Sequence, residues 1–428
     1  MQHLFAASML HCKPYLSTGT WDNRVARACC FPVTLLPDVS ENAHHRRWAI
    51  LALLFATRVG LGFQFQTMGS VAEPVASDLH LNDSEVGTLI GLFLMPGMVL
   101  ALPAGLRGRY LPDRALVVIG LVAMTAGGLL AAVSTSLETL AAARLVSGAG
   151  FVVCSLYFTK MTADWFSGRE LATAMAVVVM SWPFGVAMGQ VGHGWLAAHE
   201  GWRMPFIVAA LYCLLSAVAV LVLYRAPPQG PTAPAAASAC LTGREWSLTL
   251  IAAFIWATFN AAYVVYLSFA PRVLTNGGMG ALTAAGIVSL ASWVMIFSGT
   301  LVGQVADRFG RADLILRVCL VGGMASLALL PLLDWAIPLS LAYGRIVVAP
   351  AGLVMALTGQ AMAPHKRAFG MGVFLSVFFL GTAPAPGIAG WLYDRTGDAY
   401  VPILFAVNLT GAALAGTFAF RLVQRLTR

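Results

Sequence analysis

Charge is scarce in this 428-residue chain. Only 10% of its residues are Asp, Glu, Lys or Arg, against roughly a quarter in an average soluble domain. All eighteen acids lie in tails, in loops or at the ends of apolar runs, so no carboxylate relay of the kind that moves protons through a membrane is visible. The seven cysteines (Cys12, Cys29, Cys30, Cys154, Cys213, Cys240 and Cys319) have no metal-ligand spacing, and none falls in an expected external loop. Neither disulfides nor a metal site are expected. No glycine-rich phosphate loop follows a strand pattern, and no nucleophile is grouped with a base. An enzyme, an ATP-driven pump and a resident cofactor are all excluded on these grounds.

Apolar sequence fills the chain instead, at 59% of residues. Runs of about the 20 residues needed to cross a bilayer occur at 48–71, 86–106, 115–134, 139–159, 170–195, 205–224, 248–270, 282–303, 313–333, 337–360, 369–392 and 401–420. They are numbered spans 1 to 12 below. The expected fold class is an all-α integral membrane protein with twelve transmembrane helices. With the N-terminus inside, twenty of the 26 Lys and Arg residues fall on the cytoplasmic side, three (Arg203, Arg272 and Arg395) fall outside, and three lie within spans. The positive-inside rule therefore places both termini in the cytoplasm. The net charge of +8 reads as a topology signal rather than a nucleic-acid footprint.

Residues 1–47 are polar, without the basic start, apolar core or cleavage site of a signal peptide, and are expected to form a disordered cytoplasmic tail. A Pro- and Ala-rich stretch, Ala226 to Thr242, reads as a linker. It divides a six-helix bundle at 48–225 from a second at 247–428, with the linker region at 226–246. The halves repeat. Gly105 pairs with Gly303 at an offset of 198, the Arg144–Gly150 run with Arg345–Gly352 at 201, Pro183 with Pro384 at 201, and Gly194-Trp195-Leu196 with Gly390-Trp391-Leu392 at 196. Two parallel repeats with a site at their interface is a transporter arrangement.

The run Gly303-Gln-Val-Ala-Asp307-Arg308-Phe-Gly310-Arg311 resembles the loop signature of the major facilitator superfamily, and Arg144-x-x-x-Gly148-x-Gly150 is similar to that superfamily's motif in span 4. The resemblance covers about 48–425 and implies the major facilitator fold, with spans 1, 4, 7 and 10 lining a central cavity. It also implies a charge latch at Gly303, Asp307, Arg308, Gly310 and Arg311. In the first half the signature's Asp is replaced by Arg109 and its second Gly by Pro112, so the latch role is carried over to the second half alone. A narrower likeness, to the cyanate and nitroimidazole permease-like branch, rests on Arg58 to Gln66, Asp164-Trp165-Phe166, Ser181-Trp182-Pro183-x-Gly185 and Gly370-Met371-Gly372. It implies a small anion or organic acid as solute.

Three arginines, Arg58, Arg144 and Arg345, stand inside spans with no acid at comparable depth. A guanidinium keeps its proton, and a charge at the centre of a membrane helix costs roughly 2.5–3.5 kcal/mol, so each must face water or a partner. Its fork suits a planar oxyanion. Arg58, Gly62 and Gln66 fall on one helix face and leave a glycine gap that a ligand could enter, with Gln66 preferred over Gln64 as the cavity-facing amide. Asn260 and Tyr263 share a face of span 7 with Trp256. The expected substrate-binding set is Arg58, Gln66, Arg144, Asn260, Tyr263 and Arg345, with helix packing as the alternative role for Arg144 and its repeat-mate Arg345 and helix–helix hydrogen bonding as that for Asn260 and Tyr263.

The expected function is alternating-access transport of a small anionic solute, secondary active or facilitative, by a monomer in a bacterial inner membrane, with the lipid bilayer as its other partner. Pro183-Phe-Gly185-x-x-x-Gly189 is similar to the superfamily's antiporter pattern and opens the alternative of drug or metabolite efflux. A non-transporting anion sensor is the third reading.

Overall fold

The computed structural model describes residues 39–107, 111–166, 170–227, 241–331, 335–347, 349–363 and 366–427. The expected disordered tail up to residue 38 and most of the linker, 228–240, lie outside the described residues. The helices are α1 (Val39–Ser70), α2 (Ala72–Leu79), α3 (Asp83–Leu92), α4 (Pro96–Arg107), α5 (Asp113–Ala132), α6 (Leu137–Trp165), α7 (Leu171–Glu200) and α8 (Arg203–Leu223). They continue as α9 (Gly243–Asn276), α10 (Ala281–Phe309), α11 (Ala312–Ala328), α12 (Ala336–Val347), α13 (Ala349–Ala361), α14 (Arg367–Thr382), α15 (Ala385–Thr396) and α16 (Tyr400–Leu426). No strand occurs among the described residues. Among the described residues, eleven helical stretches are long and apolar enough to cross a bilayer; the other expected span, 9, is α11, with 17 residues. The first helix starts at Val39, inside the stretch expected to be tail.

An all-helical solution follows from the solvent, because every backbone N–H and C=O inside hydrocarbon must be satisfied within the protein. Short polar signals set the helix ends. Asn82 with Glu85, Ser136 with Thr139, and Thr242 with Glu245 form reciprocal capping boxes that open α3, α6 and α9. Gly201 (φ 83°) and Gly397 (φ 68°) make the left-handed turns after α7 and α15, and they are 196 residues apart, like the Gly-Trp-Leu pair. From Arg47 onward the chain packs as one compact unit.

Spans 2 and 11 are each broken. Span 2 consists of α3 and α4, separated by a turn at 93–95, because Pro96 has no N–H with which to continue the ladder. Span 11 consists of α14 and α15, broken at Ala383-Pro384. The pieces pack against each other, α3 on α15 and α4 on α14, and glycines line the seam. A Cβ on Gly87 would come 2.1 Å from the Pro386 carbonyl oxygen, one on Gly91 1.9 Å from that of Ala383, and one on Gly390 2.0 Å from that of Asp83. Small residues let membrane helices approach in this way.

Charged groups close one end of this seam. The Asp394 carboxylate accepts the N–H groups of Asp83 (3.0 Å) and Ser84 (2.8 Å) at the start of α3. Asp83 forms an ion pair with Arg272 of α9, whose guanidinium lies over the Tyr393 ring at 4.8 Å. Spans 2, 7 and 11 are thereby tied together at the end where α1 finishes, the Ser70 end. At the opposite end Lys366 pairs with Glu245 at 2.7 Å, and Glu245 also accepts the Ala363 N–H at 3.1 Å. Gly91→Val should force the seam apart, and such overpacking costs about 1–3 kcal/mol. The expected readout is a lower thermal midpoint of the detergent-solubilised protein, and an unchanged midpoint would contradict this packing.

Candidate functional site

One face of α1 carries Arg58, Gly62, Gln66 and Ser70 at intervals of four, and α7 covers all of it. The Arg58 Nη1 donates to the Val178 carbonyl (2.6 Å) and to Ser181 Oγ (2.9 Å), while its buried Nε has no partner among the described residues. Gly62 leaves no gap for a ligand, contrary to the expectation. A Cβ there would lie 2.4 Å from the Trp182 carbonyl oxygen, and one on Gly185 would lie 2.2 Å from that of Val59. The space is filled by helix backbone. Gln66 donates through Nε2 to Gln190 Oε1 and to Ser70 Oγ (3.4 Å), and Ser70 Oγ donates to the Gly189 carbonyl (3.2 Å). His193, fully buried, hydrogen-bonds the Phe63 carbonyl through Nε2 at 2.9 Å. Gln64 points elsewhere, donating to the Met124 carbonyl (2.7 Å) and Ser147 Oγ (3.2 Å).

Arg144 is 2% exposed. Its Nε donates to the Leu89 carbonyl (3.1 Å), Nη1 to the Gln64 carbonyl and Thr67 Oγ1 (both 3.4 Å), and Nη2 to the Phe65 carbonyl (3.3 Å). The guanidinium also lies over the Phe93 ring at 4.6 Å. Four of its five N–H groups thus join α1, α3 and α6. The motif glycines serve the same packing, since a Cβ on Gly148 would come 2.2 Å from the Phe93 carbonyl oxygen and one on Gly150 2.2 Å from that of Gly120.

On α9, Asn260 is half-buried and donates back to the Trp256 carbonyl (2.7 Å), one turn earlier. The Tyr263 hydroxyl, buried, hydrogen-bonds Ser292 Oγ of α10 at 2.8 Å. Arg345, the repeat-mate of Arg144, is in a different situation. Its neighbour Gly344 packs on Ala291 of α10, but the Arg345 side chain is exposed, and no hydrogen bond or ion pair holds it among the described residues. In the latch, Gly303 and Asp307 fall within α10, but their side-chain surroundings lie outside the described residues. Arg308 and Arg311 are exposed, and Gly310 turns the chain with φ 62°.

A cavity of about 400 Å³ opens near the Ser70 end between α1, α2, α3 and α7 on one side and α9 and α10 on the other. Its wall is mostly apolar, with Val86, Ile90, Phe269 and Leu282, and its polar groups include Ser70, Glu73, Asp83, Gln190 and Arg272. None of the six expected substrate-binding residues lines this cavity: Arg58 and Gln66 lie on the α1–α7 seam, with Ser70 and Gln190, the partners of Gln66, reaching the wall, while Arg144 and Tyr263 are engaged in helix contacts. Gln190 and the Asp83–Arg272–Asp394 cluster were not singled out from sequence. The Gly185/Gly189 spacing was the available signal for the first, marking where α7 approaches α1 and Gln190 follows.

The sequence pattern of the Major Facilitator Superfamily matches residues 50–363. The chain is 28% identical to a chloramphenicol resistance protein of Streptomyces lividans over 396 residues, covering 87% of this chain and 96% of that protein. It is 24% identical to a 3-(3-hydroxy-phenyl)propionate transporter of Escherichia coli K12 over 410 residues, covering 91% and 97%. Among solved structures it resembles a bacterial homologue of the human lysosomal transporter Spinster, inward-facing and unoccupied, with a TM-score of 0.69 and 17% identity over 88% of this chain and 98% of that one.

Arg144→Leu should strand several buried carbonyls, at about 1–3 kcal/mol each, and so abolish a stable, monodisperse protein. Arg144→Lys should not rescue it, since a point cation cannot replace a planar fork. Size-exclusion profiles and thermal midpoints decide the matter; a stable Leu variant that merely lost solute binding would assign Arg144 to the ligand instead.

Proposed function

The chain belongs to the Major Facilitator Superfamily and is a multi-pass membrane transporter, and on that premise we propose that it moves a small organic anion across the membrane by alternating access. The observation that carries this reading is Arg345. It lies nine residues into span 10, roughly 14 Å along the helix, and the protein leaves it uncovered. A permanently charged group at that depth is tolerable only beside water, which supports reading it as part of an aqueous path between two six-helix halves at 48–225 and 247–428. An anion arriving there neutralises it and lets the halves close.

Asn260 completes the proposed contacts, and Arg58 and Gln66, covered by α7 in this conformation, join them only where the α1 face is uncovered during the transport cycle. Arg144 and Tyr263 hold the frame. Gly303, Asp307, Arg308, Gly310 and Arg311 form the latch at the end opposite Ser70. Lysine and arginine placement supports cytoplasmic termini in a bacterial inner membrane, with the Ser70 end outside, and the protein acts as a monomer. The likeness to the cyanate and nitroimidazole permease-like branch supports a small anion, and a curated relative named for a phenylpropionate supports a carboxylate. No acid stands at mid-span, which favours exchange or facilitated movement over proton symport.

One observation favours a second reading, efflux of an uncharged or cationic apolar compound. With Arg272 paired to Asp83, Glu73 is the only charge lining the cavity without an ion-pair partner among the described residues. A resistance protein among the relatives points the same way.

In proteoliposomes, Arg345→Gln should reduce anion uptake by about tenfold or more, the loss of one charge-assisted contact, with little change in thermal midpoint. Uptake equal to wild type would remove the anion reading, and extrusion of apolar cations by both proteins would establish the second.

A further inference from the structure

We infer that Gln190 is the hydrogen-bond donor by which the cavity selects its solute, and that this solute presents a carboxyl or carbonyl oxygen on an apolar body. The inference rests on the transport reading above and adds to it a residue and a chemical class.

Hydrogen-bond directions along the α1–α7 seam leave one amide with free donors. A serine hydroxyl has one proton, and that of Ser70 goes to the Gly189 carbonyl at 3.2 Å. Its lone pairs therefore face Gln66, 3.4 Å away, and only an N–H can meet them. This fixes the Gln66 amide with Nε2 on that side. The same Nε2 lies against Gln190, so the Gln190 atom it meets must be the acceptor, Oε1. The two N–H groups of Gln190 Nε2 are left over.

No hydrogen-bond partner for them occurs among the described residues. Gln190 is 1% exposed and yet lines the cavity. The amide opens onto the cavity, so its donors are met by an acceptor inside it, water in the absence of solute and the solute's oxygen when one is bound. Arg272, the one cation among the described residues lining the cavity, is committed to Asp83. The cavity therefore offers neutral donors on an apolar wall, beside the carboxylate of Glu73. An inorganic oxyanion finds neither a free cation nor a use for that wall. A small organic molecule fits both features, and about 400 Å³ lies within the roughly 300–1,000 Å³ of small-molecule sites.

The test uses the full-length protein in nanodiscs, with benzoate and benzamide as probes that share a ring and a carbonyl oxygen but differ in charge, and with nitrate and benzylammonium as controls. Affinities come from calorimetry and stability from thermal midpoints. Gln190→Glu keeps the acceptor for Gln66 and removes the donors; Gln190→Met keeps the length and removes both.

Wild type should bind benzoate or benzamide, and the preferred one identifies the charge state of the head group. Each variant should weaken that probe by about tenfold, and Gln190→Glu should gain affinity for benzylammonium. Unchanged probe affinity in both variants would overturn the assignment whatever their stability, as would wild type binding neither carbonyl probe. If nitrate then bound in an Arg345-dependent way, this inference would fall and the transport reading would stand. Binding of benzylammonium alone by wild type would remove both.

Discussion

A guanidinium cannot give up its proton to hydrocarbon, and much of the interior can be understood as three answers to that constraint. Arg144 is answered by backbone: four N–H groups distributed over carbonyls and one hydroxyl of α1 and α3, a burial that makes one side chain the joint of three helices. Arg58 is answered in part, by Val178 and Ser181 of α7. Arg345 receives no answer from the described residues, and the proposed transport reading gives it to water and solute. In that reading the order from fully engaged to unengaged is also an order from scaffold to function.

Glycine supplies the complementary constraint. Where α1 meets α7, and where α3 meets α15, main-chain atoms take positions that a Cβ would otherwise occupy. In lipid there is no hydrophobic reward for association, so close packing and interhelical hydrogen bonds must hold the helices together. The polar line from Arg58 through Gln66 and Ser70 to Gly189 is possible because Gly62, Gly185 and Gly189 bring the two backbones within reach. The cavity floor is thus part of the same seam that fixes spans 1 and 5 together.

Much of this was legible in the sequence. Twelve apolar runs and the offset of about 200 residues each have a local physical cause, and α-helices satisfy their own backbones regardless of neighbours. The site was less legible because spacing names a helix face but not what faces it. Arg58, Gly62 and Gln66 do share a face, yet that face meets a helix rather than a ligand. Gln190 carried no signal of its own; it became informative only when the Ser70 hydroxyl fixed the direction of a hydrogen-bond chain. The breaks in spans 2 and 11 were hidden for a related reason: Pro183 lies inside an unbroken α7 while Pro384, its repeat-mate, ends a helix, so proline alone does not decide.

Those two breaks have a mechanical consequence. A continuous helix is a stiff rod that carries a tilt from one face of the membrane to the other, whereas an interrupted one can bend at the interruption. Because spans 2 and 11 are interrupted side by side, the pair α3 and α15 and the pair α4 and α14 form two short clasps in series instead of one long seam. Releasing the charged clasp at the Ser70 end need not disturb the other. A carrier built in this way resembles an airlock whose doors have separate bolts, and the residues at 93–95 and 383–384 are the slack between them.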